Sequence, residues 1–125
     1  MDRNRPPRPA LRTALRLVQQ YDDDVKLLDD LIQHGAKQDG TPRGTDPGDP
    51  VARAAIAHEK IAARVHAIDD AKKVIPEDMR DVIFTAIKTG TPISDVPGGQ
   101  LMHRNTYSKW RQRFLRRVAY NLYLY

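Results

Sequence analysis

Apolar residues return on a helical period from about Ala10 onward, and the period breaks only where glycine and proline interrupt it. Leu11, Leu15, Val18, Val25, Leu28 and Ile32 follow a 4-3-7-3-4 spacing, with Tyr21 or Asp22 at the missing turn. That near-heptad seam predicts one helix over 10–34, roughly 35 Å long at 1.5 Å per residue. Gly35 reads as its stop. Residues 35–49 are breakers, with Gly35, Gly40, Gly44 and Gly48 beside Pro42 and Pro47, and read as a flexible loop. Asp49-Pro50 restarts the chain as a cap and a first helical position. The helix that follows, to about Lys73, has a seam of Ile61, Val65, Ile68, Ala71 or Lys72, and Ile75, continued backward by His58 and by Ala54 or Ala55.

Ile75-Pro76-Glu77-Asp78 ends that helix and opens another, because proline is poorly placed in a helix interior and acids suit a first turn. Met79, Val82, Ile83, Phe84, Ala86 and Ile87 give the new helix a wide apolar face up to Lys88-Thr89-Gly90. Thr91 to Val96 reads as one short turn with Ile93 and Val96 inward, ended by Pro97-Gly98-Gly99. Trp110, Phe114, Val118 and Leu122 then recur every four residues along a last helix over about 105–120, with Asn105 its expected cap. The expected core of this part is Ile83, Phe84, Ile87, Trp110, Phe114 and Val118.

These elements predict an all-α protein: a long N-terminal helical hairpin or coiled-coil arm followed by a C-terminal helix-turn-helix-like unit. The divisions are a basic disordered arm over 1–9, a hairpin and oligomerisation region over 10–74 with its flexible loop at 35–49, and a DNA-binding unit over 75–125. The seam residues Leu15, Val18, Val25, Leu28, Ile61, Val65 and Ile68 are candidates for oligomerisation. They meet within a chain, between two chains, or both. Two slim helices bury little alone, which favours a homodimer.

Charge changes the picture more than composition does. The 125 residues carry a formal charge of +5, and 40% are hydrophobic, enough for one small core. No Asp or Glu follows Asp95, whereas Arg104, Lys109, Arg111, Arg113, Arg116 and Arg117 crowd the last helix. Clustering of this kind points to a polyanion more strongly than net charge does. A helix with an aromatic anchor and a cationic outer face suits the major groove of double-stranded DNA. Its N-terminal side chains, Asn105, Thr106 and Lys109, with Arg113 one turn on, are the candidate base contacts. Arg104, Arg111, Arg116 and Arg117 are candidates for phosphates. Tyr107 either joins them through its hydroxyl or packs its ring under the turn. Asp22, Asp23, Asp24, Asp29 and Asp30 read as a solvated helix face, which with the 35–49 loop should lie away from DNA.

Other chemistry is poorly represented. There is no cysteine, which excludes disulfides and thiolate metal sites. His58 and His66 stand eight apart, too far for one metal, and Gly98-Gly99 lacks the residues of a phosphate-binding loop. No catalytic residue, no metal ligand, no cofactor and no enzymatic activity is expected. Nothing approaches a membrane span, and no secretory signal is read at the N-terminus, so a cytoplasmic protein without a membrane partner is expected.

With these residues in view, the chain resembles the small phage and prophage late-gene transcriptional regulators of the ArpU/RinA type. Those proteins look like a helical, coiled-coil-forming part joined to a helix-turn-helix similar to region 4 of bacterial sigma factors. The similarity spans roughly residues 15–122 and rests on Ile75-Pro76, Ile83-Phe84 with Ile87, Gly90, and the basic segment from Arg104 through Phe114 to Val118-Ala119. Thr106, Tyr107, Lys109, Arg111 and Phe114 match the family's recognition-helix character. The Thr91–Met102 interval departs from it, since members often carry a tryptophan-containing stretch and a well-formed short helix there. The resemblance implies sequence-specific DNA binding and regulation of late genes. It also brings in host RNA polymerase as a candidate partner. The competing expectation is a phage assembly or packaging accessory, small-terminase-like, or a protein-interaction adaptor with non-specific DNA affinity.

Overall fold

A computed structural model describes residues 6–37 and 50–125, with side chains described for 6–31 and 52–125. The expected arm at 1–9 lies outside the described residues as far as Arg5. The expected loop lies outside them from Gln38, and so does the Asp49 cap. The described residues are all-α: five helices and no strand. The helices are α1 Arg8–Gln19, α2 Tyr21–Lys37, α3 Pro50–Lys72, α4 Glu77–Thr89 and α5 Arg104–Asn121, with a single 3-10 turn at Ile93–Asp95. No helix among them is long and apolar enough to cross a membrane.

The single helix expected over 10–34 is two. Gln20 sits at φ −92° and ψ −1° and returns its N–H to Leu17, closing α1. Asp22, Asp23 and Asp24 then occupy the first turn of α2, where the exposed N–H groups favour negative charge. The gap in the seam at Tyr21–Asp22 is therefore a helix junction. α2 also runs through Gly35, the expected stop, to Lys37.

The two halves of the expected long helix have different neighbours. α2 lies along α3, while α1 packs against α5 and α4. α5 rests chiefly on α1 and α3. One core results, made of Ala14 and Val18 of α1, Ile68 and Ala71 of α3, Ile75 between α3 and α4, Ile83, Phe84 and Ile87 of α4, and Phe114, Leu115, Val118 and Ala119 of α5. It draws on both sides of the division expected at 74/75. Of the seam residues, Val18, Ile61 and Ile68 are buried and Leu15, Leu28 and Val65 half-buried, whereas Val25 is exposed. Val18 and Ile68 have no surface left for a second chain.

Aromatic packing ties three elements together. Phe84 meets Tyr21 edge-on at 5.1 Å and Phe114 edge-on at 5.8 Å, the arrangement that ring quadrupoles prefer. Lys72 and Lys88 lie over the Phe84 ring at 4.6 and 5.3 Å. Polar ties close the periphery. The Tyr21 hydroxyl donates to Asp69 at 2.7 Å, and Arg64 forks onto Asp24 at 3.3 and 3.2 Å. Asp24 is therefore a buried, paired acid and not part of a solvated face. The break at Pro76 is pinned from α4, where Arg80 donates twice to the Ile75 carbonyl.

Candidate nucleic-acid interface

Turn follows turn from the end of α4 to the start of α5. Gly90 takes the left-handed conformation (φ 70°) that closes α4. Pro92 starts the 3-10 turn, and Val96 is buried behind it. Gly98 is left-handed (φ 88°), and any side chain at Gly99 would collide with the Ile93 carbonyl oxygen. Gly99 and Met102 donate to Val96 and Gly99 at 2.8 and 3.2 Å. These constraints set where α5 starts.

α5 begins just before the expected cap. His103 is extended (φ −67°, ψ 139°), and its Nδ1 accepts the Asn105 N–H at 3.0 Å. An imidazole nitrogen here does what an Asn or Ser oxygen usually does at this position. Asn105, expected as the cap, is inside the first turn with its side chain exposed.

The two halves of α5 differ. Phe114, Leu115, Val118 and Ala119 are buried and fix the second half. In the first half Arg104, Asn105, Ser108, Lys109, Gln112 and Arg113 are exposed, and Thr106, Tyr107, Trp110 and Arg111 are half-buried. Trp110, expected in the core, packs against its edge instead. It stays half-buried one turn ahead of Phe114, the first buried residue of α5. Its ring organises cations, with Lys109 Nζ at 4.9 Å and the Arg113 guanidinium at 5.0 Å from its centre. Tyr107 borders a hollow of about 250 Å³ shared with Leu15, Gln19, Ile87 and Arg111. Burial raises its hydroxyl pKa, opposed by Arg111 beside it. The tyrosine ring is thus engaged under the turn.

The ion pairs sharpen the electrostatics. Among the described residues they join Asp24 to Arg64, Asp69 to Lys72, Asp22 to Lys88 and Asp70 to Arg117. Asp70 also accepts from the Asn121 side chain at 3.0 Å. Of the basic residues on α5, only Arg117 has a carboxylate within reach among the described residues, at 3.7 Å. The structure thus brings Arg104, Asn105, Thr106, Lys109 and Arg113 together on the first half of α5, all but the half-buried Thr106 exposed. It places Arg116 and Arg117 further along, toward the tail. Sequence reasoning missed that Val74 and Tyr125 join these arginines around an open groove. The visible signal was Arg113, Arg116, Arg117 and Tyr120 at helical spacing, followed by two further tyrosines.

No family model, curated protein or solved structure matches the chain. Among the described residues, no group of three or more His, Cys, Asp or Glu side chains could hold a metal ion.

Proposed function

We propose that the chain is a sequence-specific DNA-binding regulator that lays the first half of α5 in the major groove, with no catalytic role. The observation that carries the reading is the outer face of the first half of α5: exposed, cationic and without acid partners among the described residues, on a helix fixed by its second half. Asn105, Thr106, Lys109 and Arg113 face base edges, where Asn suits adenine and a cation suits guanine. Arg104, Arg111, Arg116 and Arg117 hold phosphates. Tyr107 supports the helix from beneath and reaches a phosphate only through its hydroxyl. α4, the turns over 90–103 and α5 act as a helix-turn-helix with a long turn, and α2 with α3 forms the arm. Control of phage late genes and contact with host RNA polymerase rest on the resemblance alone.

Selection from a randomised duplex pool at about 0.15 M salt tests this, because non-specific binding is weak there and specific binding survives. Enrichment of a defined motif is expected, abolished in a Lys109→Ala, Arg113→Ala double variant. The salt dependence of the variant's residual binding should stay near that of the wild type, whereas each phosphate-holding arginine changed to Ala should flatten the log–log slope by about 0.9. Retention without a motif would replace the regulator reading with that of an assembly or packaging accessory. The exposed Val25, Leu27 and Ile56 of the arm would then be the surface to examine for protein partners.

A further inference from the structure

The last turns of α5 and the tail build a second feature. Arg113, Arg116 and Arg117 share a helix face with Tyr120 one turn on, and Val74 and Tyr125 complete an open groove of about 300 Å³. The tail reaches it through a strained cap. Leu124 donates to Ala119 at 3.0 Å and Tyr123 to Tyr120 at 3.2 Å, a Schellman closure that normally has glycine at the left-handed position. Here that position is Tyr123, at φ 56°, while Leu124 packs on the core. The turn sends Tyr125 back beside α5.

The chemistry of the groove is specific in two respects. It is cationic: Arg117 lies over the Tyr120 ring at 5.3 Å and touches Asp70, while Arg113 and Arg116 meet no carboxylate among the described residues. It is also aromatic, with Tyr120 60% and Tyr125 50% exposed, so much of both side chains is open to solvent. A duplex backbone would use the arginines and leave the rings idle, because paired bases present edges and not faces. Unpaired bases present faces, and stacking on aromatic rings beside cationic side chains is how single strands are held without sequence preference. The groove has room for a base and a phosphate.

We propose that this groove holds an unpaired base, with its flanking phosphates, from a single-stranded stretch of nucleic acid. The groove shares Arg113, Arg116 and Arg117 with the duplex reading, whereas Tyr120 and Tyr125 belong to it alone, so changes at the two tyrosines tell the failure of one reading from that of the other.

The test is fluorescence anisotropy at about 0.1 M salt with a labelled oligodeoxythymidine of about 12 nucleotides. A duplex and an abasic strand of the same length complete the set. The wild-type protein should bind the thymidine strand well above the abasic strand, which has the same phosphates and no bases. Tyr120→Leu with Tyr125→Leu should weaken the thymidine strand by about 5- to 150-fold and leave the duplex within about twofold, and Tyr120→Trp should restore single-strand binding. An oligouridine strand bound equally well would place RNA among the ligands of the same chemistry. Equal affinity for thymidine and abasic strands would overturn the proposal, and that comparison needs no variant. Unchanged single-strand binding in the leucine variant would overturn it too. Loss of duplex selectivity alone would sink the regulator reading and leave this one standing.

Discussion

Arg64 is the side chain whose removal most directly tests how α2 is held to α3. Asp24 is 4% exposed, and Arg64 meets both of its oxygens. Val25 and Leu27 of α2 and Ile56 of α3 are exposed and add little apolar burial to this contact. Arg64→Met keeps the aliphatic stem and removes the guanidinium, leaving a buried carboxylate supported only by the first turn of α2. Breaking a fully buried pair costs about 3–5 kcal/mol. The Arg64 side chain is 32% exposed, so water already screens part of the pair. The helix N-terminus offsets up to about 1 kcal/mol more. The expected loss is therefore about 2–3 kcal/mol, or a urea midpoint lowered by about 1–2 M in far-UV circular dichroism. Asp24→Leu with Arg64→Met removes both charges and should lie within about 1 kcal/mol of wild type, because an apolar pair of similar volume has no desolvation penalty. A loss under about 1 kcal/mol for Arg64→Met, or a double variant as unstable as the sum of the single ones, would refute the reasoning.

Phe114 and Trp110 should separate core from edge. Phe114→Ala, at a fully buried site, should cost about 3–5 kcal/mol, whereas Trp110→Ala should cost about half of that or less by chemical denaturation. Tyr123→Gly removes the left-handed penalty and should stabilise the fold by roughly 0.5–1 kcal/mol; a loss would show that the ring is held by something else. The Tyr21 hydroxyl is pushed well above its ordinary range, first by burial, then by its hydrogen bond to Asp69 and by the Asp69 and Asp22 charges. The folded state thus keeps a proton that the unfolded state sheds near pH 10, so stability is full below that pH and falls as pH rises above it. Tyr21→Phe should flatten that alkaline decline in a midpoint-versus-pH series.

What the sequence made legible was local. Ile75-Pro76 with Glu77 and Asp78, the left-handed Gly90, and the proline–glycine cluster over 92–99 each act within a few residues, and each marks an element boundary in the fold. Partner choice was not local. A seam at heptad-like spacing reads the same whether it serves one partner or two. Here Val18 turns toward α5 and α4 while α2 follows α3, so the long helix breaks at Gln20. Asp24 looked like its acidic neighbours because only its partner forty residues on distinguishes it. Trp110 looked like Phe114 because spacing records a face and not how deeply each turn of it is buried. The cationic face of α5 was visible from spacing alone. The groove was not, since Val74 and Tyr125 reach it through turns.

The placement of charge on α5 carries a last consequence. Lys109–Arg113 and Arg113–Arg117 are i,i+4 pairs and Arg113–Arg116 is i,i+3, and like charges at these spacings destabilise a helix by about 0.2–0.5 kcal/mol each. Asp70 relieves Arg117 alone, while Asp22 is held by Lys88 and Asp24 by Arg64. The free protein therefore keeps a self-repelling face that a polyanion would neutralise. Salt should act on the two states in opposite directions. Raising it from about 0.05 to 0.5 M screens the repulsion and should raise the thermal midpoint of the free protein. The same change should weaken any nucleic-acid complex by orders of magnitude. A midpoint that falls with salt would mean that the ion pairs of α2 and α3 dominate and that the face on α5 is not under strain. A complex indifferent to salt would mean that the arginines do not touch phosphate.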